Sequence, residues 1–196
     1  MKSVPKRIAI IGAGLAGATA AKELADDHTV SLFEKSRGAG GRMSSRRVDP
    51  FSFNHGAQFF TARSEPFAGL IDNAVKKGIV KQWSPKLITL DPNAAPFKRT
   101  WFEPHFIANG GMNNLAKALV EDLQLTLECQ IETVVNVNGS WYLNDQNGKQ
   151  HGPFDWVIST APAEQTRTLM PPAFNNLDPL TDVQFSPCFA LMLGFT

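Results

Sequence analysis

The stretch RIAIIGAGLAGATAAKELADDHTVSLFEKSRGAGGR, residues 7–42, decides the fold. The apolar run Ile8-Ala9-Ile10-Ile11 reads as a buried strand, the Ala-rich segment after Leu15 as a helix, and Thr29-Val30-Ser31-Leu32-Phe33 as a second strand. Between the first strand and the helix lies Gly12-Ala13-Gly14-Leu15-Ala16-Gly17, a G-x-G-x-x-G. Bare glycines there let the backbone approach a pyrophosphate at a helix N-terminus. Glu34 closes the second strand, 22 residues after Gly12, where a carboxylate can accept both hydroxyls of an adenosine ribose. The same acid disfavours a 2′-phosphate, because two anions would be forced together. Small residues also let a helix pack closely on a sheet. The order of strand, glycine turn, helix, strand and acid favours dinucleotide binding over that purely structural reading.

A second glycine turn, Arg37-Gly38-Ala39-Gly40-Gly41-Arg42, follows directly. Lys35, Arg37, Arg42, Arg46 and Arg47 put five cations and no acid into residues 35–47, beside the expected pyrophosphate. Taken alone, such a cluster is also what a solvated basic loop looks like. The pattern Glu34-Lys35-x-Arg37-Gly-x-Gly-Gly-Arg42 resembles the turn after the second strand in flavoproteins of the amine oxidase and phytoene desaturase superfamily. Ser36 to Arg47 (SRGAGGRMSSRR) and His55 to Arg63 (HGAQFFTAR) together resemble the renalase branch, especially its bacterial members. The likeness continues through Gly110-Gly111-Met112, Asp155 to Pro162 and Phe185 to Leu191.

The resemblance implies an α/β, Rossmann-like FAD/NAD(P)-binding domain split between residues 1–62 and 108–172. Residues 63–107 and 173–196 would be parts of a substrate lobe. It implies FAD as cofactor, held by Gly12, Gly14, Leu15, Ala16, Gly17, Glu34, Lys35, Arg37, Gly41, Arg42, Ala57 and Gln58. Val134 would offer backbone contacts to the adenine, with Thr160 and Pro162 near the cofactor. Gln58, Phe59 and Thr61 are the candidates for facing the flavin ring, although Phe59 and Phe60 read equally well as core and Gln58 as a turn cap. Arg99 and Trp101 are weaker candidates in the inserted lobe. In renalases a dihydronicotinamide isomer donates hydride to FAD and dioxygen reoxidises it to give hydrogen peroxide. No dedicated acid or base is then required, because the flavin carries the chemistry. A flavin amine oxidase on another substrate, and a non-catalytic nucleotide-binding remnant, are the two competing readings.

Composition bounds these choices. With 196 residues, 43% of them hydrophobic, the chain can build one good-sized core and a small second lobe. A net charge of +1 gives no general attraction to nucleic acid or to an anionic membrane, so a small-molecule partner is expected. Lys2, Lys6 and Arg7 before an apolar run imitate a secretory signal, but three glycines in nucleotide-motif register interrupt that run. No segment reaches the roughly 18 apolar residues of a membrane span. Cys129 and Cys188 are far apart and lack metal-type spacing, which suggests two reduced cysteines in a cytoplasmic protein. His28, His55, His105 and His151 are scattered, and each reads as a loop or surface residue, with no metal site expected.

Along the chain, Ser64-Glu65-Pro66 opens a helix striped by Phe67, Leu70, Ile71, Ala74 and Val75, and Gly78 ends it. Residues 79–90 suggest strands broken at Ser84-Pro85, and 91–96 a loop. Met112, Leu115, Ala116, Leu119, Val120 and Leu123 predict a further helix. Residues 125–127 and 131–137 read as strands, the latter turning through Asn138-Gly139, a type I′ signal, into 141–143. Residues 154–159 read as one buried strand before a short helix ended by Pro171-Pro172. Cys188 to Phe195 is an apolar, strand-like run, beyond which renalases continue to a C-terminal Gly-Asp segment that holds the flavin. The sequence is therefore expected to be a fragment, a truncated product or an unusually short homologue.

Overall fold

The computed structural model describes residues 4–86, 88–98, 100, 102–171, 174 and 177–195. Arg99, Trp101 and Pro172 lie outside the described residues. The elements in order are β1 (Arg7–Ile11), α1 (Leu15–Leu24), β2 (Thr29–Phe33), a 3-10 turn (Gly41–Met43), β3 (Arg46–Val48), β4 (Phe51–Phe53), α2 (Glu65–Lys76), β5 (Val80–Trp83), β6 (Ile88–Asp91), β7 (Ala94–Lys98), β8 (His105–Ala108), α3 (Asn114–Val120), β9 (Gln124–Thr126), β10 (Ile131–Val137), β11 (Ser140–Asp145), β12 (Gln150–Phe154), β13 (Trp156–Ser159), α4 (Ala163–Leu169) and α5 (Asp178–Thr181).

A parallel four-stranded sheet in the order β13-β1-β2-β9 forms the centre. Successive residues of a strand point to opposite faces, so a sheet covered on both sides needs apolar residues throughout. In β1, Ile8 and Ile10 pack with Val30, Leu32, Ala18, Ala21 and Ala116 on the side of α1 and α3. Ala9 and Ile11 point the other way, with Phe33, onto Ile131, Val134, Leu143 and Phe154 of the antiparallel β10-β11-β12 meander. The unbroken Ile8-Ala9-Ile10-Ile11 run thus serves two cores, and the sheet is sandwiched between helices and meander. The fold class is the α/β, Rossmann-like one expected.

A third core joins α2, β5 and β8 to α3 and the second glycine turn: Ile71, Ala74, Val80 and Ala108 pack with Met43, Met112 and Leu115. Val75, expected in the α2 stripe, is exposed instead, so the buried face is narrower than the periodicity suggested. Residues 91–96 form a tight turn and the first half of β7, not an open loop. The Asn138-Gly139 hairpin is as read, with positive φ at both residues (51° and 84°).

Two further expectations need correction. Residues 154–159 are not one strand: Phe154 ends the antiparallel meander opposite Trp141, and Trp156 begins the parallel pairing with Ile8. Asp155 makes the switch, because its backbone N–H donates to Arg7 O (2.8 Å) while its carboxylate accepts from Arg7 N (2.7 Å). Residues 188–195 carry no strand either, and Phe189, Leu191, Leu193 and Phe195 are exposed. Apolar content alone does not make a strand where no neighbouring edge supplies the ladder of hydrogen bonds. No helix among the described residues is long and apolar enough to cross a membrane.

Leu32 is completely buried between β1 and α1, so Leu32→Ala should cost about 2–5 kcal/mol in urea unfolding, whereas Val48→Ala on the exposed β3 should stay within about 0.5 kcal/mol. The Arg7 N–H bond is the main cause that holds the Asp155 carboxyl below its ordinary range. A depressed folded-state value contributes stability above the ordinary carboxyl range, and that stability is lost as pH falls through the lowered value. Asp155→Asn should therefore flatten the acid limb of the stability profile and leave its slope above pH 6 unchanged.

Candidate functional site

The two glycine turns are pressed together, backbone on backbone. Gly14 and Gly40 form an isolated parallel bridge, and Gly40 N donates to Ala13 O at 2.9 Å. A Cβ on Gly41 would lie 3.0 Å from the Gly14 Cα, and one on Gly40 would fall 2.7 Å from the Asn113 Cβ. Gly12, Gly40 and Gly41 all carry positive φ. Only glycine satisfies that geometry and that closeness together.

Glu34 ties this assembly to the end of β2. Its buried carboxylate accepts from the backbone N–H of Ala13 (2.8 Å) through one oxygen and of Ser36 (2.8 Å) through the other. Each oxygen keeps a second lone pair, so this clamp leaves the carboxylate able to accept further donors. From the opposite strand, Thr160 Oγ1 donates toward Ile11 O and Gly12 O, 3.0 Å from each. Thr160 therefore fixes the first turn to β13.

What these contacts leave open is a helix N-terminus. Gly14 occupies the N-cap of α1 with no side-chain hydrogen bond, and the first turn, Leu15-Ala16-Gly17, contains no acid. First-turn N–H groups and the positive end of the helix are thus available to an anion. Arg37, Arg42, Arg46 and Arg47 are exposed and, among the described residues, make no ion pair. Lys35 donates to Gln165 of α4 at 3.3 Å. Pro162 is exposed at the start of α4. Val134 is buried in the core of the meander with Phe33 and Leu143.

The HGAQFFTAR segment is docked on the second turn. Ala57 N donates to Arg42 O (2.9 Å), and a Cβ on Gly56 would lie 2.1 Å from that same oxygen. Two bonds between Phe60 and Phe106 (3.0 and 2.8 Å) then attach the segment to β8. Gln58 is exposed and Thr61 half-buried along this bridge from the glycine turns to the β5-β8 ribbon. Phe59 and Phe60 divide their roles: Phe60 packs in the third core, while the half-exposed Phe59 ring stands 4.6 Å from His105 and 5.7 Å from Trp83. Arg63 at the segment's end is held by both oxygens of Glu103 (2.8 and 2.6 Å), and that hydrogen bond draws the Glu103 carboxyl below its usual range.

Two histidines contradict the surface reading. His105 is buried on β8, and the His151 side chain on β12 is only 13% exposed. His151 pairs across the meander with fully buried Leu143, and residues paired in register share a face, so the ring is turned inward. There it meets Cys129 and Asp145, residues too distant in sequence for spacing rules to join. Cys129 is a free, buried thiol, and burial pushes it up from its ordinary value. Cys188 is free and exposed.

Residues 10–74 match the family model described as an NAD(P)-binding Rossmann-like domain. Over 51 residues the chain is 45% identical to 4,4'-diapophytoene desaturase (4,4'-diaponeurosporene-forming) of Staphylococcus aureus (strain Newman), a match covering 26% of this chain and 10% of the desaturase. Among solved structures, a redesigned putrescine oxidase aligns with a TM-score of 0.64 at 11% identity over 85% of this chain and 60% of that one. A CLA-producing fatty acid isomerase from P. acnes aligns with a TM-score of 0.65 at 13% identity over 86% and 62%. The chain thus spans less than two thirds of these structures. The family model covers the segment of the two glycine turns, and the solved structures share the Rossmann-like fold.

A methyl group at Gly17 would sit 1.9 Å from Gly12 O and 2.8 Å from Thr160 Oγ1, whereas one at Gly38 meets nothing within 4 Å. Gly17→Ala should accordingly cost roughly 3 kcal/mol or more in stability, and Gly38→Ala less than about 0.5 kcal/mol, by the same denaturant titration.

Proposed function

We propose that this chain is the FAD-binding part of a renalase-like oxidoreductase that takes hydride from a dihydronicotinamide isomer and passes the electrons to dioxygen. The observation that carries the reading is the pair of interlocked glycine turns around the uncapped start of α1, with a buried acid bonded to the first turn and four exposed arginines in and just after the second. Glycines at 12, 14, 40 and 41 bring bare backbone to the cradle, which fits a pyrophosphate, and the absence of an acid from the first turn of α1 leaves its dipole free to act on it.

In this reading Gly12, Gly14, Leu15, Ala16 and Gly17 hold the pyrophosphate, and Glu34 holds the adenosine ribose with Lys35 beside it. Arg37, Gly41 and Arg42 carry the chain toward the flavin, while Val134, Thr160 and Pro162 bound the adenosine side. FAD, when bound, supplies the hydride acceptor and the route to dioxygen. The protein's own part is to position the rings and keep water out. Ala57, Gln58, Phe59 and Thr61 suit that part because they run from the second glycine turn to the ribbon of β5 and β8. Residues 1–62 and 108–172 then make up the cofactor domain, and 63–107 and 173–196 belong to a substrate lobe. Two free cysteines suit the cytoplasm.

The choice of the renalase branch rests on the SRGAGGRMSSRR and HGAQFFTAR segments. An amine oxidase acting on a carbon–nitrogen bond fits the superfamily equally well, and the two differ in their reductant. Protein reconstituted with FAD should show a flavin spectrum that bleaches anaerobically with borohydride-generated NADH isomers and yields hydrogen peroxide on admitting air. Bleaching by amines alone would reject the renalase reading. Glu34→Ala, which removes a charged acceptor for the ribose, should weaken FAD binding about 10- to 100-fold in a fluorescence titration.

A further inference from the structure

Directly behind Glu34, three side chains with metal-ligating atoms converge from three separate segments. Cys129 lies in the link between β9 and β10, Asp145 at the end of β11 and His151 in β12. Cys129 Sγ is 3.8 Å from Asp145 Oδ2 and 3.8 Å from His151 Nε2, while those last two atoms are 2.9 Å apart. The cofactor reading makes no use of them.

As a hydrogen-bonded cluster the arrangement is unevenly satisfied. The bond between His151 and Asp145 is of ordinary length, whereas both contacts of the sulfur are long, at 3.8 Å, for a weak donor. As a coordination site it is well proportioned. The three separations define a triangle whose circumcentre lies about 2.1 Å from each atom, beside zinc bond lengths of about 2.3 Å to sulfur and 2.0–2.2 Å to nitrogen and oxygen. A cation slightly out of that plane would see the sulfur about 120° from each of the other two atoms and Nε2 and Oδ2 about 85° apart, with a fourth position left over.

Two further observations support this arrangement. Asp145 Oδ1, the oxygen turned away from the triangle, accepts the backbone N–H groups of Asn147 (2.9 Å) and Lys149 (3.0 Å), so the carboxylate is already oriented by an outer shell. The His151 ring is packed edge-on against Phe33 at 5.0 Å, which fixes its direction. His151 also lines an open cleft of about 460 Å³ with Phe33, Thr126 and Lys149. The nearby cation, Lys149, is exposed.

We propose that Cys129, Asp145 and His151 form a structural site for one divalent transition cation, zinc foremost, that pins the link between β9 and β10 to the meander. A thiolate, a carboxylate and a neutral imidazole offset the double charge, and the mixed sulfur–nitrogen–oxygen set suits zinc or cobalt over magnesium or calcium. Binding displaces the thiol's proton to solvent, and the neutral imidazole turns its Nε2 lone pair to the cation with its one proton on Nδ1. Because Cys129 N donates to Glu34 O (3.0 Å), a cation here would stiffen the backbone beneath the proposed ribose site without touching the cofactor.

The test is a titration of the whole chelator-treated chain with Co²⁺. One equivalent should bind in the micromolar range, with a thiolate-to-cobalt band in the near ultraviolet that Zn²⁺ abolishes. The band should persist in Cys188→Ser and disappear in Cys129→Ser and in His151→Gln. Stoichiometric Zn²⁺ should raise the melting temperature of the wild type by about 5 °C and leave His151→Gln unmoved. No thiolate band in folded wild-type protein at about 100 µM Co²⁺, or a band lost only in Cys188→Ser, would overturn the proposal. Neither readout involves flavin, so its failure is distinct from failure of the oxidoreductase reading.

Discussion

Everything near the candidate site depends on two peptide turns meeting without side chains between them. Gly14 and Gly40 bridge, Gly41 approaches the Gly14 Cα, and Gly40 donates to Ala13. That contact sets where the 3-10 turn at Gly41–Met43 emerges, and so where Arg42 presents its carbonyl to Ala57 and where Met43 enters the third core. A side chain at Gly40 would collide with Asn113 and separate the turns, with consequences reaching from α1 to β8.

Glu34 shows how one residue serves fold and site together. A buried carboxylate is costly unless its lone pairs are used. Here two backbone N–H groups use one lone pair on each oxygen and thereby bind the first glycine turn to the end of β2. The two that remain are those that the proposed ribose contact would use, so the hydrogen bonds that hold the turns also hold the acid in place for it. The rigid face behind it comes from Phe33, whose ring meets His151 and Phe154 in the second core.

Much of this was legible in the sequence because the signals are local. β1, α1, β2 and Glu34 fall where the glycine spacing and the apolar alternation put them, and positive φ at Asn138 and Gly139 follows from their residue types. The strand break at Asp155 was not legible, because it depends on hydrogen bonds to Arg7, distant in the chain. The hairpin of β3 and β4 escaped because the basic residues Arg46 and Arg47 carry no strand periodicity. Cys129, Asp145 and His151 escaped for a related reason: their juxtaposition is made by the register of the meander, which places His151 opposite Leu143, and no motif spacing encodes it.

The central claim is that the two turns and Glu34 grip the adenosine and pyrophosphate half of FAD. FMN carries the same flavin ring and one phosphate but lacks the adenosine and the second phosphate, so comparing the two ligands isolates that part. Isothermal titration of the apo-protein with each should give FAD a dissociation constant at least roughly 100-fold below that of FMN. Equal affinities, or no binding of FAD by protein whose circular dichroism shows it folded, would contradict the account.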